Sequence, residues 1–236
     1  MRGIRQSQFA APVLRRLFAL SLLLLAASST GCQAVVLLGY LIAGPPSIEP
    51  DFEKQTKKSL TEKGKTTLVL CYAPKELKWD NDAVDYEVAK MIALRLRSHQ
   101  ISVMDPDRVH DWLDKHSNWD KPDEVGAAFG VDYVIYVDLA KYSLFEEHSH
   151  DLYRGRAEMI VSVVEMTGKK NKKKKHGSTI YSKSITSRYP DSTPASANEY
   201  PYETFKKLYL SRLSDQIGWL FFEHYAGDDV PYRALL

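Results

Sequence analysis

The spacing of apolar residues changes several times along the chain, and each change marks a different kind of element. Thr66–Tyr72 is a short run whose centre, Leu68–Cys71, is wholly apolar, which predicts a strand buried on both faces. From Asp82 to about Ser98 the period becomes helical, with Val84, Val88, Met91, Ile92 and Leu96 on one stripe. Gln100–Met104 predicts a second short strand. Asp105-Pro106 then pairs an N-cap residue with proline at the first helical position, which launches a helix to about His116. Pro122 opens a further short helix that Gly130 ends.

The period next becomes two. Val131, Tyr133, Ile135, Val137 and Leu139 alternate with Asp132, Val134, Tyr136 and Asp138. Tyr153, Ala157, Met159, Val161 and Val163 alternate with Arg154, Arg156, Glu158 and Ser162, and Thr179–Tyr189 alternates more weakly. These are three strands joined by hairpins, each with one buried and one largely polar face. After a loop over Pro190–Ser196, Phe205, Tyr209, Leu213, Ile217, Leu220 and Phe221 predict a long amphipathic helix ended by Gly227. The order β-α-β-α-(α)-β-β-β-α needs a parallel crossover in its first half and an antiparallel meander in its second. One mixed sheet covered by helices, an α/β (α+β) fold, satisfies both.

The beginning of the chain follows a different logic. Four arginines fall in the first sixteen residues and no Asp or Glu precedes Glu49. An apolar run from Leu17 to Ala27 leads to small residues, Ser28 to Gly31, and then to Cys32. That is a positively charged start, an apolar core and a small-residue cleavage junction, the layout of an export signal. Eleven apolar residues are too few for a bilayer, which needs about 20. The small residue directly before Cys32 resembles the bacterial lipobox, in which the thiol is acylated and becomes the mature N-terminus. Ser29 departs from that pattern, since a large aliphatic residue is usual three before the cysteine.

An uncleaved anchor is the rival reading, because Ala34–Gly44 is apolar again and Leu17–Gly44 could form one span. Ser28-Ser29-Thr30-Gly31 interrupts that run at its centre. Both readings leave the arginine-rich start in the cytoplasm and export the rest. Gln33, rather than Asp, after the cysteine resembles an outer-membrane sorting pattern.

The expected organisation is a signal peptide over 1–31, an anchor, apolar segment and polar tether over 32–65, an α/β domain over 66–227 and a tail over 228–236. The tether rests on residues 44–65, which mix three prolines with charges of both signs. Removing the first 31 residues turns a net charge of +2 into 28 basic against 30 acidic residues. Six of the basic residues stand together as Lys169, Lys170, Lys172, Lys173, Lys174 and Lys175, so the remaining surface is acidic. A nucleic-acid partner does not fit that balance. The lysine run is expected on a solvated turn, able to touch an anionic envelope surface such as membrane phosphates or an acidic polymer.

Candidate chemistry is sparse. If Cys32 carries lipid, Cys71 has no intramolecular partner, and its aliphatic setting reads as core. His148 and His150, flanked by Glu146, Glu147 and Asp151, have the spacing of a Zn²⁺ or Cu²⁺ site, though a polar hairpin tip needs the same residues. The acids of Trp79–Glu87 fall where a helix starts, and carboxylates complement its dipole there. Asp105, Asp107, Asp111 and Asp114 read as a solvated helix face. No glycine-rich phosphate loop, Ser/His/Asp signature or cysteine cluster is present in the sequence.

Several stretches, taken in order, resemble the periplasmic lipoprotein domains of the CsgG type, with the TolB amino-terminal domain and LpoB in the wider group. TLVLCYAP is similar to their first strand, and HQISVMDPDRVHDWL to their second strand and second helix. GAAFGVDYVIYVDL and IVSVVEMTG followed by STIYSKS are similar to their glycine-to-strand passage and return hairpin. The curli channel's long amphipathic hairpins have no counterpart, because LFEEHSHDLYRG is short and charged and the lysine turn cannot face lipid. The resemblance implies a membrane-anchored, non-catalytic periplasmic lipoprotein that serves as adaptor or assembly factor for an envelope partner and needs no cofactor. The alternative is an envelope metal-dependent hydrolase using the His148/His150 hairpin.

Overall fold

The computed structural model describes residues 46–79, 81–168 and 176–228, together with Gly39 and Gly44. The chain divides into two compact units, Met1–Ser47 and Ile48–Leu236. In the second unit the elements run α1 (Asp51–Thr56), β1 (Thr67–Tyr72), α2 (Lys75–Lys78), α3 (Val84–Ser98), α4 (Pro106–Lys115), α5 (Pro122–Phe129), β2 (Tyr133–Phe145), β3 (Leu152–Thr167), β4 (His176–Tyr189), β5 (Ala195–Ser196) and α6 (Tyr202–Gly218). The mixed α/β architecture expected from the sequence is present.

One sheet has the order β1-β2-β3-β4, with β5 pairing β3 beyond the end of β4. β1 and β2 are parallel, in register from Thr67 opposite Tyr133 to Tyr72 opposite Asp138. The chain from β1 to β2 passes through the helices α2 to α5, as a parallel pair requires. β2, β3 and β4 form an antiparallel meander.

Two layers of helix explain why the centre of β1, Leu68–Cys71, is apolar on both faces. Val69 and Cys71 face the larger core, where α3 and α6 supply Val88, Ile92, Leu96, Phe205, Tyr209 and Leu213. Leu68 and Leu70 face a smaller core with Val109 of α4, Val125 of α5, Val134, Val164 and Met166. Tyr133, Ile135, Val137 and Leu139 are all buried in the larger core, as their alternation predicts. Gly155 interrupts the pattern of β3 because the ring of Tyr209 lies over it. A Cβ there would stand 2.3 Å from that ring.

The structure departs from the sequence reading in three places. Gln100–Met104 is no strand; it makes a single parallel bridge, Val103 to Thr67. Thr67 N–H donates to Ser102 at 2.8 Å, and Met104 N–H donates to Thr67 at 2.8 Å. Asp105, whose side chain accepts from the Asp107 amide, then turns the chain into α4 before a longer ladder can form.

The segment 48–65 is not a free tether. Phe52 and Leu60 are fully enclosed, and Phe52 packs against Tyr181, Phe221 and Tyr133 with ring centroids 5.5, 5.8 and 6.5 Å away. Two apolar residues among charges carry no period, so the sequence pattern hid them. The compact unit that contains the sheet therefore takes in the chain from Ile48 rather than from Thr66.

The last helix stops at Gly218, nine residues before Gly227. Leu220 and Phe221 are buried as expected, but in a turn closed by Phe221 N–H to Gly218 at 2.7 Å. Phe222 closes over Gly218, where a Cβ would lie 2.5 Å from its ring.

Candidate functional site

Cys32 and the six lysines Lys169–Lys175 lie outside the described residues, as do all but Gly39 and Gly44 of the apolar run Leu17–Gly44. The strand ends on either side of the lysine run are described. Thr167 pairs His176, and its hydroxyl donates to the His176 carbonyl at 3.2 Å. Two residues back, Glu165 takes the Lys58 ammonium at 2.5 Å. On the neighbouring strand the Tyr181 hydroxyl donates to Asp51 at 2.8 Å, and Lys183 Nζ lies 2.9 Å from the same carboxylate oxygen. The segment 48–65 is thus pinned to β3 through Lys58 and to β4 through Asp51.

The hairpin of His148 and His150 is held by arginines. Glu146 lies 2.5 Å from Arg154 Nε and also pairs with Arg156, while Glu147 pairs with the other arm of Arg156. Arg154 is almost completely enclosed, and its Nη2 donates to the Ser192 carbonyl at 2.8 Å. Two acids that could have joined the histidines in a metal site are therefore engaged elsewhere. His148 sits at φ 60° in the turn, and both histidines are exposed. Among the described residues no group of three His, Cys, Asp or Glu side chains is placed to hold a metal ion. Sequence reasoning took Arg154 for a residue of the polar face. The clue it passed over was the arrangement of two acids and two arginines on opposite limbs of one hairpin.

A shallow cleft at the C-terminal end of β1 is lined by Cys71, Asp85, Tyr86 and His110. Burial pushes the Cys71 thiol far up, which favours its protonated form. At its rim the Tyr86 hydroxyl donates to Asp107 at 2.7 Å, and Lys90 donates to both, at 2.7 and 2.9 Å. Hydrogen bonds from Tyr86 and then Lys90 hold the Asp107 carboxyl below the usual range. His110 stacks on Tyr86 at 4.3 Å, which completes a clasp between α3 and α4. The acids at the start of α3 are matched with lysines: Asp85 with Lys78, and Glu87 with Lys206 at 2.7 Å. Asp85, Glu87 and Asp107 thus join elements, while Asp105, Asp111 and Asp114 lie exposed on α4 or at its start, as the reading of a solvated face expects.

One surface was not anticipated. α4 and α5 cover only the Leu68–Leu70 end of their side of the sheet. Further along, the cross-strand row Tyr72, Asp138, Ile160, Ser184 faces outward, with Tyr72 and Ile160 each 45 % exposed. Ile160 has Asp138 on one neighbouring strand and the small Ser184 on the other, so its side chain is open toward the outer edge of β4. An isoleucine in an alternating strand gives no signal of exposure, because its face depends on where the covering helices stop.

No protein-family model matches the chain, and no curated protein matches it. Among solved structures it is similar to a PelC dodecamer from Paraburkholderia phytofirmans, at 9% identity over 75% of this chain and 98% of that one, with a TM-score of 0.42. Lipoprotein GNA1162 from Neisseria meningitidis aligns at 16% identity over 65% of this chain and 98% of its own, TM-score 0.38. The hypothetical protein CT253 from Chlamydia trachomatis aligns at 13% identity over 67% and 98%, TM-score 0.36.

Proposed function

We propose that this chain is an exported cell-envelope lipoprotein of the CsgG, TolB amino-terminal and LpoB-like group, anchored through acyl chains on Cys32. It acts as a non-catalytic adaptor that holds an envelope partner near the membrane. The observation that carries the reading is the junction Ser28–Cys32 after an eleven-residue apolar core and an arginine-rich start. Only sixteen positions separate Cys32 from Ile48, so the proposed anchor lies close in sequence to the domain. Such an anchor places the domain in the periplasm, on the outer membrane by the sorting pattern of Gln33.

The ion pair of Lys58 with Glu165, two residues before the end of β3, brings the segment 48–65 near the strand end that leads into the lysine run, which supports a shared role at an anionic surface. Six ammonium groups in one short run would attract anionic headgroups, each contributing about 1 kcal/mol near such a surface. The clasped acids and the protonated Cys71 thiol support binding over catalysis. The experiment is metabolic labelling with a radiolabelled fatty acid. Cys32→Ser is expected to lose the label and to retain the uncleaved signal. Undiminished label in that variant would overturn the lipoprotein reading.

A further inference from the structure

The outer edge of β4 is a long row of extended backbone that pairs on one side only. Its inner side is laddered to β3 from Gly177 opposite Met166 to Arg188 opposite Arg156. On the outer side, over Ser182–Arg188, no backbone hydrogen bond to another segment is found among the described residues. In an antiparallel strand every second residue turns its N–H and C=O outward, so this edge offers a regular array of donors and acceptors. Ser182, Lys183, Ser184, Thr186 and Arg188 are exposed along it. The edge contains no proline; of its two cations Lys183 is paired with Asp51, which leaves Arg188 as the exposed charge along it.

The geometry points to this edge as the docking site for an extended, acidic peptide segment of the partner protein, added as a further strand beside β4. The inference rests on the adaptor reading and names how the partner is held. Backbone pairing alone would accept any strand, and charge narrows the choice. From Met166 to Pro190 the chain contains no Asp or Glu, whereas the mature chain as a whole has more acids than bases. Two copies joined edge to edge would therefore bring two acid-free strands together, which disfavours a second copy. An acidic strand is complementary.

Side-chain shape adds a second requirement. Ile160 stands one strand in from the edge, behind the short Ser184, and remains 45 % exposed. Adjacent strands lie about 4.8 Å apart, so a long apolar side chain on the incoming strand, opposite Ser184, reaches over the serine to Ile160.

The test uses the full, lipidated chain in detergent and a fluorescein-labelled ten-residue peptide that alternates glutamate with valine and carries one central leucine. Anisotropy is expected to show saturable binding. The same peptide N-methylated at alternate amides should bind at least about tenfold more weakly, because it cannot complete the ladder. Ile160→Ser should weaken the parent peptide several-fold while leaving the melting temperature unchanged. Amide exchange within Ser182–Arg188 should slow when the peptide is bound. Equal binding of the N-methylated peptide, protection confined to another element, or self-association that protects this edge without peptide would each overturn the proposal. Fatty-acid labelling of Cys32 is unaffected by all of these, so failure here leaves the lipoprotein reading standing.

Discussion

Asp51 shows how much a single side chain can join. It caps no strand and lines no cleft, yet it ties α1 to β4 through the Lys183 ammonium and the Tyr181 hydroxyl. The hydrogen bond from Lys183 is the main reason its carboxyl sits below the ordinary value; burial opposes it, and Tyr181 adds to it. A carboxyl whose folded pKa is depressed gives stability above its unfolded value of about 3.9, and that stability is lost as pH falls through the folded pKa. Asp51→Asn should therefore lower the denaturation midpoint at neutral pH. The gap from the parent should narrow once pH drops below about 4 and close under the folded pKa. A gap that stays constant down to strong acid would show that the ion pair contributes no pH-dependent stability. Nothing in DFEKQT announces this role. The partners lie 130 and 132 residues away, and only the folded sheet brings them to one acid.

At the scale of elements, legibility followed periodicity. β2 and β3 alternate over many residues, and α4 and α5 begin with proline behind their N-caps, so their faces and starts could be read directly. Elements shaped by tertiary fit could not. The strand expected over Gln100–Met104 shrank to one bridge because the Asp105 cap removes the chain from the sheet. The end of α6 is set by Gly218 lying against Phe222, a relation that no spacing encodes.

The crossing of α6 over β3 depends likewise on Gly155, which admits the fully buried Tyr209. Gly155→Ala should cost about 1–3 kcal/mol in chemical denaturation, since a Cβ at 2.3 Å from the ring forces helix and sheet apart. Adding Tyr209→Leu frees the space, so the double variant should lose less than the two single losses added together. Simple additivity would mean that the glycine is needed for some reason other than the ring above it.

Across the whole molecule, the pattern of the sequence was enough to find the sheet and its helices, whereas the packing of 48–65 against that sheet was not legible. The candidate site was less legible than the fold. Cys32 and the lysines are distinguished by local sequence, whereas the open β4 edge and the exposed Ile160 exist only because helices stop where they do.

The border can be tested by truncation. A domain that begins at Ile48 keeps Phe52 and Leu60 in place, with the Phe52 amide bonded to the Leu220 carbonyl at 3.0 Å. One that begins at Thr66 removes both residues and leaves Tyr133, Tyr181 and Phe221 facing the space that Phe52 filled. Loss of one buried phenylalanine costs about 3–5 kcal/mol and one leucine about 2–5. Those losses compare with a total of about 5–15 kcal/mol for an ordinary domain. The Ile48 form should unfold in urea with one cooperative transition. The Thr66 form should have a much lower midpoint or lack fixed tertiary packing, visible as a weakened near-ultraviolet circular dichroism signal. Equal midpoints would return 48–65 to the role of a tether, free of the core.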